Sequence, residues 1–147
     1  MTRLGLAGAL ALLGLTACTQ AETAIPAAGP AEAQTAEDLV AQGQYMVAMG
    51  GCNDCHTAMT PTGPDMSHAL QGAALGFAPL VEMPWAPNAP PIAGLPEGWT
   101  GDDMITFLTG GGRPSGVPVL PPMPQYRASA ADAAAMTAYI ASLPKAE

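Results

Sequence analysis

The chain has 147 residues, of which 11% are charged and 5% aromatic, and its formal net charge is -8. With four Lys and Arg in all, it has no basic face with which to hold phosphates, so nucleic acid is set aside as a partner. Its 17 Gly and 16 Pro leave little room for a side-chain core, which suggests one small domain folded around something other than its own side chains, although a flexible tail on an ordinary helical domain would have the same composition.

The first element, MTRLGLAGALALLGLTAC, has one basic residue, Arg3, and then an apolar run from Leu4 to Ala17. That run has the length of a signal-peptide core and falls short of the roughly 20 residues that span a bilayer. It predicts export. Its end, Leu15-Thr16-Ala17-Cys18, resembles a bacterial lipobox. The resemblance implies a lipoprotein-type signal peptide over 1–17, cleavage before Cys18 and lipidation of that cysteine. The protein would then be held on the periplasmic side of a bacterial membrane without crossing it. Plain secretion with Cys18 as a spare thiol is the competing reading; an odd thiol in an oxidising compartment speaks against it. Residues 18–34, rich in Ala and Pro, read as a flexible tether.

The folded part is expected over 35–147. Thr35 with Asp38 makes a capping-box pattern, and Leu39, Gly43, Met46, Val47 and Gly50 recur at helical spacing. Gly50-Gly51 ends that helix. Thr100 with Asp103 opens a short helix carrying Met104, Ile105 and Leu108, stopped by Gly110-Gly111-Gly112. Ser129 with Asp132 opens a third, with Met136, Tyr139, Ile140 and Leu143 on one face and Pro144 at its end. No strand and no repeat is evident. The expected fold class is all-α: three or more helices joined by long Pro- and Gly-rich loops, such as the stretch from Glu82 to Trp99. Loops of that kind are uncommon in a compact domain unless they do something specific, and wrapping a flat apolar cofactor would be such a task.

The stretch that carries chemistry is GGCNDCHTAM, Gly50 to Met59. In a C-x-x-C-H pattern, the sulfurs of Cys52 and Cys55 can add to the two vinyl groups of a haem, and His56 can reach the iron from the same side. Three other readings use the same residues. A thioredoxin-like redox pair precedes a helix, whereas this pair follows one. A zinc site needs four ligands, and the only other histidine is His68. A small structural disulfide is the third. Export and a candidate sixth ligand favour haem. That ligand is Met123, in VLPPMPQY, where prolines stiffen the loop that presents the thioether. Among the other methionines, Met46 and Met136 read as core, Met49 and Met59 stand too near the motif, and Met66, Met83 and Met104 remain as rivals.

Together, the N-terminal helix, CNDCH, a distal methionine loop and a final helix with an aromatic resemble a class I c-type cytochrome, over about Ala36 to Pro144. The stretches GQYMVAMGGCNDCHT, WTGDDMITFLTGG and LPPMPQY resemble cytochrome c domains that accompany bacterial membrane-bound dehydrogenases and oxidases. The resemblance implies one covalent haem c with His56 and Met123 as iron ligands. It also implies a crossing of first and last helices, with Gly43 or Ala48 against Tyr139. The implied function is electron transfer between redox protein partners, a dehydrogenase, an oxidase or another cytochrome, rather than enzymatic turnover. The region from Pro64 to Pro96 departs from the pattern. Of Arg113 and Arg127, Arg113 is the one expected to neutralise a haem propionate, with Trp99 or Trp85 at the same edge and His68 at the surface or on the propionate side; a solvated arginine and core tryptophans are the competing reading. Two other classes stay open. One is a haem enzyme or ligand-binding haem protein in which Met123 does not bind. The other is a thiol–disulfide oxidoreductase using Cys52 and Cys55.

Overall fold

The computed structural model describes residues 34–146. The expected signal peptide, Cys18 and all but the last residue of the expected tether lie outside the described residues. The described chain begins where local chemistry starts a helix. Thr35 Oγ1 accepts from Asp38 N at 3.1 Å, and the Asp38 carboxylate accepts from Thr35 N at 3.1 Å, which opens α1 (Ala36–Met49). The Thr35 hydroxyl, which also donates to the Asp38 carboxylate at 2.7 Å, and then the Thr35 N–H hold that carboxyl below the usual carboxylate range. Glu37 and Asp38 also place negative charge on the positive end of the helix.

Gly50 closes α1, and Gly51 turns the chain through a left-handed conformation (φ 67°) that a side chain would resist. The turn leads into α2 (Cys52–His56), five residues made of the CNDCH motif itself. Beyond it, β1 (Met59–Thr60) pairs antiparallel with β2 (Gly63–Pro64), followed by a 3-10 turn at Met66–His68. Further on, β3 (Ala73–Ala74) pairs antiparallel with β4 (Asn88–Ala89), Ala73 opposite Ala89. These ladders are what the sequence did not reveal. Two-residue strands are too short to display a period-two pattern.

The chain continues into α3 (Gly101–Leu108), opened by the Thr100–Asp103 capping box, and α4 (Ala130–Ser142), opened by Ser129 Oγ accepting from Asp132 N at 3.1 Å. Leu143, expected on the last helix, is its cap residue. Helices α1 and α4 cross closely. A Cβ on Gly43 would run into the Ala135 carbonyl oxygen and lie 2.8 Å from Tyr139 Cβ. Gly43 is therefore the small residue at the crossing; Ala48, the other candidate, is exposed. The core gathers Val47, Leu70, Met104, Leu108, Met136 and Ile140 from α1, α3, α4 and the loop after α2.

Leu70 shows how that loop is pinned. It is fully buried and sits at φ 60°, a left-handed conformation that costs a non-glycine residue about 1–2 kcal/mol. Its N–H donates to Thr57 Oγ1 at 2.9 Å, and its carbonyl accepts from Ile92 N at 2.9 Å and Ala93 N at 3.0 Å. Thr57, also fully buried, donates in turn to Asn53 Oδ1 at 2.9 Å, so the loop is tied back to the CNDCH helix.

Candidate functional site

A cavity of about 350 Å³ opens between α2, the 86–92 segment, the inner face of α3 and the 120–126 loop. That volume lies in the range of sites for organic cofactors. Cys52, Cys55, His56, Trp99, Arg113 and Met123, far apart in sequence, all line it. The rest of the wall is mostly apolar, with Ile92, Met104, Phe107, Leu108, Leu120 and Ile140 prominent, and no acidic side chain reaches it.

His56 is the most strictly held of these residues. It is 5% exposed, and its Nδ1 lies 2.7 Å from the Pro90 carbonyl oxygen. A carbonyl only accepts, so Nδ1 carries the proton and Nε2 keeps its lone pair free. Burial pushes the His56 pKa below the ordinary imidazole value, against the opposing pull of the Pro90 carbonyl, so the ring is neutral at pH 7. Local structure explains how Pro90 comes to be there. Gly72 N donates to the His56 carbonyl at 2.7 Å, which starts β3 beside the motif; β3 pairs with β4, and Pro90 follows β4 directly. A neutral imidazole with one nitrogen fixed on a carbonyl and the other free is how a metal-ligating histidine is oriented.

The two cysteines are free thiols on the cavity wall. Cys52 is buried, and that burial pushes its thiol pKa up. A thiol raised in this way is protonated and a weak nucleophile, the opposite of what thiol–disulfide exchange requires. Among the described residues, no group of three or more His, Cys, Asp or Glu side chains is placed to hold a metal ion, which counts against a closed zinc site. His68 lies outside the cavity lining, exposed, with Nδ1 2.7 Å from Asp65 Oδ2.

Met123 sits half-buried on the loop that closes the cavity. Of the other methionines in the described residues, only Met104 also lines it, and Met104 is 3% exposed in the core of α3. Met66 and Met83, the other two rivals, are exposed and off the wall, as are Met49 and Met59. Arg113 lines the cavity without a carboxylate partner; the one ion pair among the described residues is His68 with Asp65. Trp99 stacks edge-on against Phe107, centroids 5.5 Å apart, on the same wall. Trp85 is not on that wall. It packs edge-on against Phe77, and its buried indole N–H has no partner.

Two contributors gave no usable signal in the sequence. The Pro90 carbonyl is a backbone group, and any residue could supply it. Tyr126 lies on the wall and donates its hydroxyl to the Gly50 carbonyl; it stood in the stretch that singled out Met123, but nothing there pointed to its partner.

These side chains are of the kinds that the covalently held haem expected from the sequence would need. The chemistry is that of the donor set: one neutral imidazole with a free nitrogen, one thioether, two thiols three residues apart, an unpaired guanidinium for a carboxylate edge, and apolar walls. No protein-family model matches the chain, and no curated protein matches it.

Proposed function

We propose that this protein is an electron carrier with one covalent c-type haem, and that its fold is the small cytochrome c-like domain which the sequence resembles. The observation that carries the reading is the His56 ring, fixed through Nδ1 on the Pro90 carbonyl with Nε2 left free, on a wall shared with Cys52, Cys55 and Met123. When bound, the haem supplies one-electron ferric–ferrous chemistry. The protein's residues do the rest. Cys52 and Cys55 would anchor the ring through thioether bonds. His56 and Met123 would be the side chains that hold the iron, and the soft thioether would favour the ferrous state. Leu108 and Ile140, both buried, and the half-buried Ile92 would help keep water away, which also favours the less charged state. Arg113 would offer a positive charge to a propionate. No general acid, base or nucleophile is needed, and the raised Cys52 pKa favours this reading over a thiol–disulfide enzyme.

The carrier is exported and tethered through a lipid on Cys18 at the periplasmic side of a bacterial membrane, where it passes electrons between redox proteins such as a dehydrogenase, an oxidase or another cytochrome. No helix among the described residues is long and apolar enough to cross a membrane. The test is to produce the full chain in a periplasm with a c-type haem maturation system, denature it in acid and measure its mass. The reading expects a mass increase of one haem that survives denaturation and is lost in a Cys52→Ser/Cys55→Ser double variant. A polypeptide with no attached haem overturns it.

A further inference from the structure

The loop that carries Met123 is held at several points, and all but one of them fasten it to parts of the fold remote from the CNDCH segment. Ala86 N donates to the Pro121 carbonyl at 2.8 Å, Gln125 Nε2 to the Gly110 carbonyl at 3.2 Å, and Ala128 N to the Leu108 carbonyl at 3.0 Å. The exception is Tyr126. Its hydroxyl donates to the Gly50 carbonyl, at the end of α1, immediately before the left-handed Gly51 turn that delivers Cys52. Carbonyls at a helix C-terminus have no partner within the helix, and Tyr126 supplies one. Its ring lies against the same residue, Cε1 being 3.3 Å from where a Gly50 Cβ would stand. The hydroxyl is also 4.0 Å from Cys52 Sγ. Burial holds the Tyr126 phenol well above its usual pKa, so it remains a donor.

A second cavity, of about 340 Å³, lies beside the first. Its wall includes the glycines from Gly110 to Gly112, which project no side chains into it. Phe107, Arg113, Met123, Pro124 and Tyr126 line both cavities. Met123 therefore stands between two spaces, and the second one could take its side chain.

We propose that Tyr126 is a positioning residue, whose hydroxyl latches the Met123 loop onto the haem-attachment turn and keeps the Met123 thioether in the main cavity instead of the neighbouring one. The proposal rests on the haem reading. Tyr126 is three residues from Met123 and its bond ends two residues from Cys52, so one hydrogen bond joins the segments that bear the two faces of the site. Without it, the loop keeps its other tethers but loses its reference to the attachment turn, and the sixth iron position opens more often.

The test uses the full, haem-loaded chain in the ferric state and compares Tyr126→Phe, Gly50→Ala and Gln125→Ala with the unaltered protein. Tyr126→Phe removes only the hydroxyl. Gly50→Ala disturbs the latch from the other side, its Cβ standing 3.2 Å from the Met46 carbonyl oxygen, 3.3 Å from Tyr126 Cε1 and 3.6 Å from Cys52 Sγ, at a backbone conformation (φ -75°) that alanine accepts. Gln125→Ala cuts a loop tether that does not reach the attachment turn. Two readouts are taken: the affinity for cyanide, which competes for the sixth position, and the far-red absorption of a thioether-ligated ferric haem. The latch predicts that Tyr126→Phe raises cyanide affinity about fivefold, the factor that one net hydrogen bond is worth, and weakens the far-red absorption, and that Gly50→Ala shifts both readouts in the same direction. Gln125→Ala stays within about twofold of the unaltered protein. If Tyr126→Phe matches the unaltered protein while that protein shows a closed, thioether-ligated haem, the latch is wrong and the haem reading stands. If Gln125→Ala equals Tyr126→Phe, loop stiffness in general is responsible and the latch is also wrong. An unaltered chain with no haem removes both.

Discussion

Met104 and Met123 line the same cavity, and truncating each should separate a core side chain from the proposed iron ligand. Met104 is 3% exposed and packed among Val47, Leu108, Met136 and Ile140. Burial of that completeness makes a Met→Ala change cost about 2–5 kcal/mol, through lost apolar contact and the void left behind. For a domain of this size each kcal/mol lowers the melting temperature by about 4–8 °C, so Met104→Ala should melt at least ~8 °C lower. Met123 is half-buried on a loop, so its alanine variant should lose little packing, under about 1 kcal/mol. The order reverses for the midpoint potential. Loss of the Met123 thioether should lower the midpoint potential by on the order of 0.1 V, because the soft sixth ligand favours the ferrous state. Met104→Ala should leave the potential close to that of the unaltered protein. Thermal melting and redox titration, both on the haem-loaded chains, separate the two effects. If Met104→Ala lowers the potential and Met123→Ala does not, the ligand assignment is wrong.

Three other outcomes are expected. Gly43→Ala places a Cβ against the Ala135 carbonyl and 2.8 Å from Tyr139 Cβ, so the α1–α4 crossing must spread at a cost of about 1–3 kcal/mol, while Ala48→Ser on the exposed side changes the melt little; equal melts would contradict the close crossing. Asp38 and Asp103 have carboxyls held below the usual range, first by Thr35 and Thr100 side-chain bonds, so their contribution to stability is present above the unfolded-state value of about 3.9 and is lost as pH falls through the lower folded-state values. The fall in melting temperature below about pH 4 should therefore be shallower in Asp38→Asn/Asp103→Asn, and an unchanged slope would show that these caps do not matter. Arg113→Gln should lower the midpoint potential of the haem-loaded protein by tens of millivolts, since a positive charge near the site favours the ferrous state; no shift in a redox titration would place Arg113 too far away or too well solvated to matter.

Much of this arrangement was legible as local chemistry. The three helix starts follow from Thr35, Thr100 and Ser129, whose hydroxyls cap backbone N–H groups three residues on. The spacing of Cys52, Cys55 and His56 and the Pro-Met-Pro of the 119–126 loop also picked out residues that the fold brings to one wall. What could not be read depends on long-range placement. The choice between Gly43 and Ala48 rests on where α4 crosses α1. The Pro90 carbonyl reaches His56 only because β3 and β4 pair, and those strands are two residues long. Leu70 gives no sign in its side chain of a left-handed backbone, which is imposed by bonds to Thr57, Ile92 and Ala93. Tyr126 could be seen to follow the methionine, but its bond to Gly50 spans 76 residues of chain.

The most direct measurement of the central claim is an optical spectrum of the ferrous protein, matured with haem in a periplasm, before and after adding carbon monoxide. A His56/Met123-ligated carrier gives a low-spin haem spectrum that carbon monoxide leaves unchanged. Ready binding of carbon monoxide would mean an open iron and a ligand-binding or catalytic haem, and a colourless protein would mean that Cys52 and Cys55 hold no haem at all.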